Sequence, residues 1–162
     1  MTKDQSIDEF IDTMLELQQG IGDICVTWAG FEHQTELLLW QLLELSEDDG
    51  KLVTTKLDIR PRLEMLAALA DRKIENTEAK ERLAKALEIV TQVQPDRNLI
   101  VHGQWGLDVK QLEVWGHTQR GKYKDKPQKL TRKFLAQTQA KITESYILLA
   151  QVGIVLQDQE NA

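Results

Sequence analysis

Apolar residues recur at helical spacing along most of the chain. In 5–18, Ile7, Phe10, Ile11, Met14 and Leu17 follow an i, i+3, i+4, i+7 pattern, which predicts an amphipathic helix. Ser6, with Glu9 three residues on, reads as a capping box at its start. Gly20 and Gly22 are expected to loosen the chain. A longer helix is predicted over 22–45, with Ile24, Trp28, Phe31, Leu38, Leu42 and Leu45 on one broad face widened by Leu39 and Leu43. The run SEDDG at 46–50 is expected to end it, and 51–59 offers at most a short helical turn.

From Pro61 the segment PRLEMLAALADRKI predicts a helix with proline in the tolerated first turn. Asn76 or Thr77 caps the next, in which Leu83, Leu87, Val90 and Val93 mark the buried side. Pro95 is expected to kink that helix or restart it, with Gly103 terminating it after His102. The period then shortens: Leu107, Val109, Leu112 and Val114 alternate, predicting a small β-hairpin or three-stranded ribbon. Its turns are expected near Lys110-Gln111 and Arg120-Gly121. Thr131 caps a last helix of about 132–157, striped by Phe134, Ile142, Ile147, Leu148, Val152 and Val155 or Leu156. The predicted fold is all-α: a single domain over 1–162, an antiparallel bundle of four to five helices, with a small β-hairpin insertion at about 104–129 before the last helix.

Composition narrows the class. The chain has 162 residues, 41% hydrophobic and 28% charged, ordinary for a globular domain with a real core. Its one cysteine, Cys25, excludes an intrachain disulfide, reads as a small buried hydrophobe, and fits a reducing cytoplasm. The polar, acidic opening MTKDQSIDEF does not read as a signal peptide, and no apolar run reaches the ~20 residues of a membrane span. The expected location is therefore cytoplasmic, with no membrane partner.

Charge is uneven. The net charge is −6, yet 97–133 holds 9 Lys/Arg against 3 Asp/Glu, while 1–96 holds 10 against 20. A basic block on an acidic chain can still meet a polyanion. Lys110, Arg120, Lys122, Lys124, Lys126, Lys129, Arg132 and Lys133 are interleaved with Trp115 and Tyr123. Cations contact phosphate and aromatics stack on unpaired bases, so Lys110, Arg120, Lys122, Tyr123 and Lys124 are the candidate RNA-binding residues. The same lysines would also discourage edge pairing of a solvated hairpin.

Inside 96-DRNLIVHGQW-105, polar Arg97, Asn98 and His102 surround an apolar triplet, Leu99-Ile100-Val101. Cations in a last helical turn also serve the helix dipole, at ~0.3–1 kcal/mol each, and Asn98 could simply be solvated. Five positions on a helix place 97 and 102 about 140° apart, so they are not expected to share a face. A histidine fixed at such an edge suits proton transfer near neutral pH.

RNLIVH at 97–102 resembles the signature of the HEPN superfamily: an arginine, four to six residues, then a histidine, with a polar residue after the arginine. Gly103 and Trp105 extend the likeness to its Arg-Asn-x-x-x-His-Gly variants, and the predicted bundle is similar to the HEPN architecture over most of the chain. The β insertion departs from the minimal bundle. The resemblance implies a metal-independent endoribonuclease and a homodimer in which two motifs line one cleft, Arg97 of one chain beside His102 of the other. It also implies a toxin or defence role, with an antitoxin or a nucleotidyltransferase as partner. On this reading Arg97 stabilises phosphate, His102 is general base or acid, and Asn98 positions. The alternative is a non-catalytic module of the same fold binding RNA, nucleotide or a protein partner, and beyond it a plain interaction bundle. No metal or other cofactor is expected: His33 and Glu36 are too few ligands, and there is no phosphate loop or zinc spacing. Glu32 is placed to face a cleft or to pair with Arg60 or Arg62.

Overall fold

A computed structural model describes residues 3–108, 113–117 and 128–160 of the protein. Among these, five helices and one small sheet form an all-α helical bundle with a β insertion before the last helix. The elements are α1 (Lys3–Leu43), α2 (Glu47–Thr54), α3 (Ile59–Lys73), α4 (Thr77–His102), β1 (Gln104–Asp108), β2 (Glu113–His117), β3 (Gln128–Lys129) and α5 (Arg132–Glu160). The chain divides into two compact units, 1–26 with 93–140, and 27–92 with 141–162.

The first two predicted helices are one. α1 runs unbroken through Gly20 and Gly22, because an isolated helical glycine costs only ~1 kcal/mol and tertiary packing outweighs it. Gly20 is where Leu135 of α5 comes close: a Cβ there would lie 2.9 Å from Leu135 Cδ1. α1 then stops in a Schellman turn. Leu45 N–H donates to the Trp40 carbonyl at 2.9 Å and Glu44 N–H to that of Gln41 at 3.0 Å, with Glu44 left-handed at φ 57°.

SEDDG does not turn the chain away from helix; it starts α2. Ser46 Oγ accepts from Asp49 N–H, and Glu47, Asp48 and Asp49 place negative charge at the positive end. α2 packs its Gly50 flat on the Trp40 ring, where a Cβ would sit 2.5 Å from the indole. Thr54 completes the joint, its hydroxyl accepting from Trp40 Nε1 at 3.2 Å and donating to the Gly50 carbonyl at 3.0 Å.

In the unit of 27–92 and 141–162 the core gathers Trp28, Phe31, Leu38, Leu39, Leu66, Leu83, Ile142 and Leu149, all nearly sealed from solvent. Trp28 and Phe31 stack tilted at 5.5 Å. Trp28 Nε1 donates to Glu32 Oε1 at 2.7 Å, and it is Glu36 that pairs with Arg62, so the expected partnership of Glu32 with an arginine is displaced by one turn. Ser145 Oγ ties α5 to α4 through the Ala86 carbonyl at 2.8 Å. The predicted stripe of α5 is rotated slightly: Leu149 is buried, whereas Ile147 is 48% exposed.

In the other unit, Leu17, Ile24, Val93, Ile100, Val114, Leu130 and Leu135 form the core, and Cys25 is half-buried rather than sealed. The sheet is antiparallel in the order β1-β2-β3, with Gln104 opposite His117, Asp108 opposite Glu113 and Trp115 opposite Lys129. Thr131 caps α5 as the sequence indicates, its hydroxyl accepting from Phe134 N–H at 3.1 Å. The two expected turns, at Lys110-Gln111 and Arg120-Gly121, lie outside the described residues.

Candidate functional site at the end of α4

α4 does not restart at Pro95. It passes through the proline, although the missing N–H costs ~3 kcal/mol, because Val93 and Ile100 are buried on either side of it. The helix therefore carries Arg97, Asn98 and His102 in its last two turns. Its end is fixed by three contacts. Gly103 N–H donates to the Leu99 carbonyl at 2.9 Å, and a Cβ on Gly103 would lie 2.2 Å from that oxygen, so the glycine is needed for close approach. Trp105 Nε1, from β1, donates to the Ile100 carbonyl at 3.1 Å. Leu99 reaches β2, where a Cβ on Gly116 would stand 3.4 Å from Leu99 Cδ1 and 3.3 Å from Leu130 Cδ1. The apolar triplet thus divides its work: Ile100 enters the core, Leu99 seats the sheet, and Val101 is half-buried.

The polar residues come together on one chain. Arg97 Nη1 donates to Asn98 Oδ1 at 3.2 Å and lies 2.9 Å from His102 Nε2. The wheel separation of 97 and 102 is real at Cα, but an arginine stem is long enough to cross it, so the two residues do not require two chains to meet. Arg97 and Asn98 are half-buried and His102 is exposed. Arginine has only donors, so in this contact His102 Nε2 is placed as the acceptor. The C-terminal end of a helix is electronegative and repels anions. Arg97 brings a cation to this end, and Trp105 and Gly103 engage two of its last carbonyls.

The remaining RNA-contact candidates, Lys110, Arg120, Lys122, Tyr123 and Lys124, lie outside the described residues. Of the basic segment that is described, Lys129 is ion-paired with Glu113 across β3 and β2, and Arg132 with Glu16. His33 is exposed, 3.8 Å from Glu36. Among the described residues no group of three or more His, Cys, Asp or Glu could hold a metal. None of the described helices is long and apolar enough to cross a membrane. One position supports the site without having been singled out from sequence: Gly116, signalled only by its being a glycine inside a strand. Trp105 was singled out with Gly103, but its bond to the Ile100 carbonyl was not foreseen.

The fold and site together define a helical bundle with an arginine–asparagine–histidine cluster at one helix end. No family model matches the chain, and neither does any curated protein or solved structure.

Proposed function

We propose that the protein is a HEPN-type, metal-independent endoribonuclease acting in the cytoplasm as a toxin or defence component. The observation that carries the reading is the 2.9 Å contact between Arg97 Nη1 and His102 Nε2, beside Asn98, at the accessible end of α4. A neutral imidazole can accept the proton of a ribose 2′-hydroxyl, whose oxygen then attacks phosphorus. The P–O5′ bond breaks, the imidazolium so formed returns its proton to the leaving 5′-oxygen, and the product is a 2′,3′-cyclic phosphate. Arg97 offers planar donors to the phosphorane oxygens, and Asn98 positions the guanidinium.

RNA is the proposed substrate, approached through the basic segment with Lys110, Arg120, Lys122, Tyr123 and Lys124. An antitoxin or a nucleotidyltransferase is the proposed regulator. A second copy of the chain is proposed as a further partner. Thr143, Ile147, Ala150 and Ile154 fall at 4-3-4 spacing on α5 with no charge among them, and Ile147 and Ile154 are 48% and 58% exposed, the pattern of a helix-pairing seam.

The test is cleavage of labelled RNA in EDTA by wild type, Arg97→Ala and His102→Ala, each verified as folded. Activity in wild type that falls at least about 100-fold in both variants supports the assignment. Equal activity in all three refutes it. One observation favours the second reading, a module that binds RNA, nucleotide or a protein without cutting: the His102 Nε2 lone pair is already engaged by Arg97. Binding of the same RNA without cleavage by any preparation selects that reading.

A further inference from the structure

The first half of α1 buries one face and leaves another bare. Leu17 and Ile24 are sealed in the core of their unit, whereas Ile11, Leu15 and Val26 are 49%, 58% and 75% exposed. With Gln18 and Gly22 they fall at 4-3-4-4 spacing, which makes one stripe along the helix, about 22 Å from end to end. Half-buried Met14 and Cys25 widen the stripe on one side, and exposed Asp8, Asp12 and Asp23 edge the other. Among the described residues nothing stands within 4 Å of a Cβ placed on Gly22, so the middle of the stripe leaves room for a partner's side chain. Single exposed apolar residues are ordinary on a protein surface; a continuous stripe with a polar edge is the form of a helix-docking surface.

Charge selects the occupant. No lysine or arginine occurs between Asp4 and Gly50. A second copy pairing through this stripe would bring its own acids against these, and an anionic lipid surface or a nucleic acid would be repelled in the same way. The seam on α5 carries no charge and meets no such penalty, so a second copy suits that seam and not this stripe. We infer that the stripe from Ile11 to Val26 is the docking surface for a basic amphipathic helix of another protein. The apolar side of that helix covers Ile11, Leu15 and Val26, and its lysines or arginines lie along the edge formed by Asp8 and Asp12. Docking here requires no ribonuclease activity.

The probe is a dye-labelled synthetic helix of leucine and lysine, with leucine at 3-4 spacing, titrated with the protein and followed by fluorescence anisotropy. Its counterpart carries glutamate in place of lysine. Leu15→Asp and Val26→Asp are the decisive variants, because each adds a negative charge. A general attraction of a cation for an acidic protein would strengthen, whereas docking on the stripe weakens. Both side chains are more than half exposed, so both variants should fold, which urea unfolding verifies. Leu52→Asp adds the same charge on α2, where Leu52 is 80% exposed and lies off the stripe. The lysine helix should bind wild type and Leu52→Asp alike, and lose about 10-fold or more in affinity for Leu15→Asp and Val26→Asp. It should also bind Asp12→Lys more weakly, and the glutamate helix should not bind. No binding of the lysine helix to wild type overturns the inference, as does binding that survives Leu15→Asp and Val26→Asp or that the glutamate helix shares. Self-association of the wild type in sedimentation velocity, abolished by Leu15→Asp or Val26→Asp and retained by Leu52→Asp, also overturns it and gives the stripe to a second copy.

Discussion

Arg62 and Arg97 are both withdrawn from solvent and both lie within a turn or two of a helix end, yet they do different work. Arg62 is 12% exposed; its Nη1 meets Glu36 Oε1 at 2.9 Å and its Nη2 the Thr54 carbonyl at 2.9 Å, so one guanidinium joins α3 to α1 and to the end of α2. The Nη1 of Arg97 is shared between two neutral acceptors on its own helix, an amide oxygen and an imidazole nitrogen. A carboxylate binds an arginine firmly and fixes three helices. The Nη1 of Arg97, by contrast, reaches residues of its own helix. The histidines differ in the same way: His33 lies 3.8 Å from a carboxylate, whereas His102 lies on a guanidinium.

The largest expected difference is in activity. On the ribonuclease reading proposed above, Arg97→Ala should lower RNA cleavage by 100- to 1000-fold, equivalent to about 3–4 kcal/mol of transition-state stabilisation, well beyond any loss of folded protein. Single-turnover cleavage and urea unfolding of the same preparation check both. A variant that loses stability and activity in proportion would make Arg97 another Arg62.

Arg62→Ala should do the reverse. It leaves Glu36 half-buried without its cation and frees the Thr54 carbonyl, at a cost of about 2–3 kcal/mol; the value is below that of a fully buried pair because Glu36 is 22% exposed. Cleavage per folded molecule should be unchanged. Chemical denaturation and an active-site titration decide it, and a selective loss of cleavage would erase the distinction between the two arginines.

How much of this contrast was legible in the sequence depends on the range of the forces involved. The Thr131 cap, α3 with Pro61 in its first turn and the short period of the β insertion all follow from spacing and local chemistry. The failures were tertiary. Gly20 and Gly22 look like breakers, and Pro95 like a kink or restart, until Leu135, Val93 and Ile100 bury the surrounding turns. SEDDG looks like a turn because the same residues that end one helix can cap the next. The helical wheel separated Arg97 from His102 because it describes Cα positions and not side-chain reach. The choice of Glu36 over Glu32 by Arg62 needed the packing of α3, which no spacing rule contains.

Two glycines sharpen the comparison at intermediate size. Gly103→Ala would press a Cβ to 2.2 Å from the Leu99 carbonyl, and Gly50→Ala to 2.5 Å from the Trp40 ring. Both should cost about 1–3 kcal/mol through forced displacement. Only the first displaces the end of α4, so only Gly103→Ala should reduce cleavage per folded molecule, with Arg97 and His102 intact. Crossing the outcomes, with Gly50→Ala inactive and Gly103→Ala active, would move the functional centre away from α4.

The smallest effect concerns Glu44, which holds left-handed backbone at φ 57° at the end of α1 and pairs with Lys73 at 2.7 Å. Glu44→Gly removes a side chain from a conformation that costs non-glycine residues about 1 kcal/mol. It also removes an exposed ion pair, whose contribution is small. The net change should be a modest gain in stability with no change in cleavage. The pH dependence gives the sign. The hydrogen bond and charge of Lys73 hold the Glu44 carboxyl below its ordinary range, so the pair stabilises the fold above the unfolded-state pKa and fades as pH falls through the lower folded-state value. The advantage of Glu44→Gly over wild type should therefore widen on acidification, measured as the difference in thermal midpoint at neutral and acidic pH. An advantage that narrows instead would mean that folding does not hold the Glu44 carboxyl below its ordinary range, and that the pair with Lys73 adds nothing to that turn.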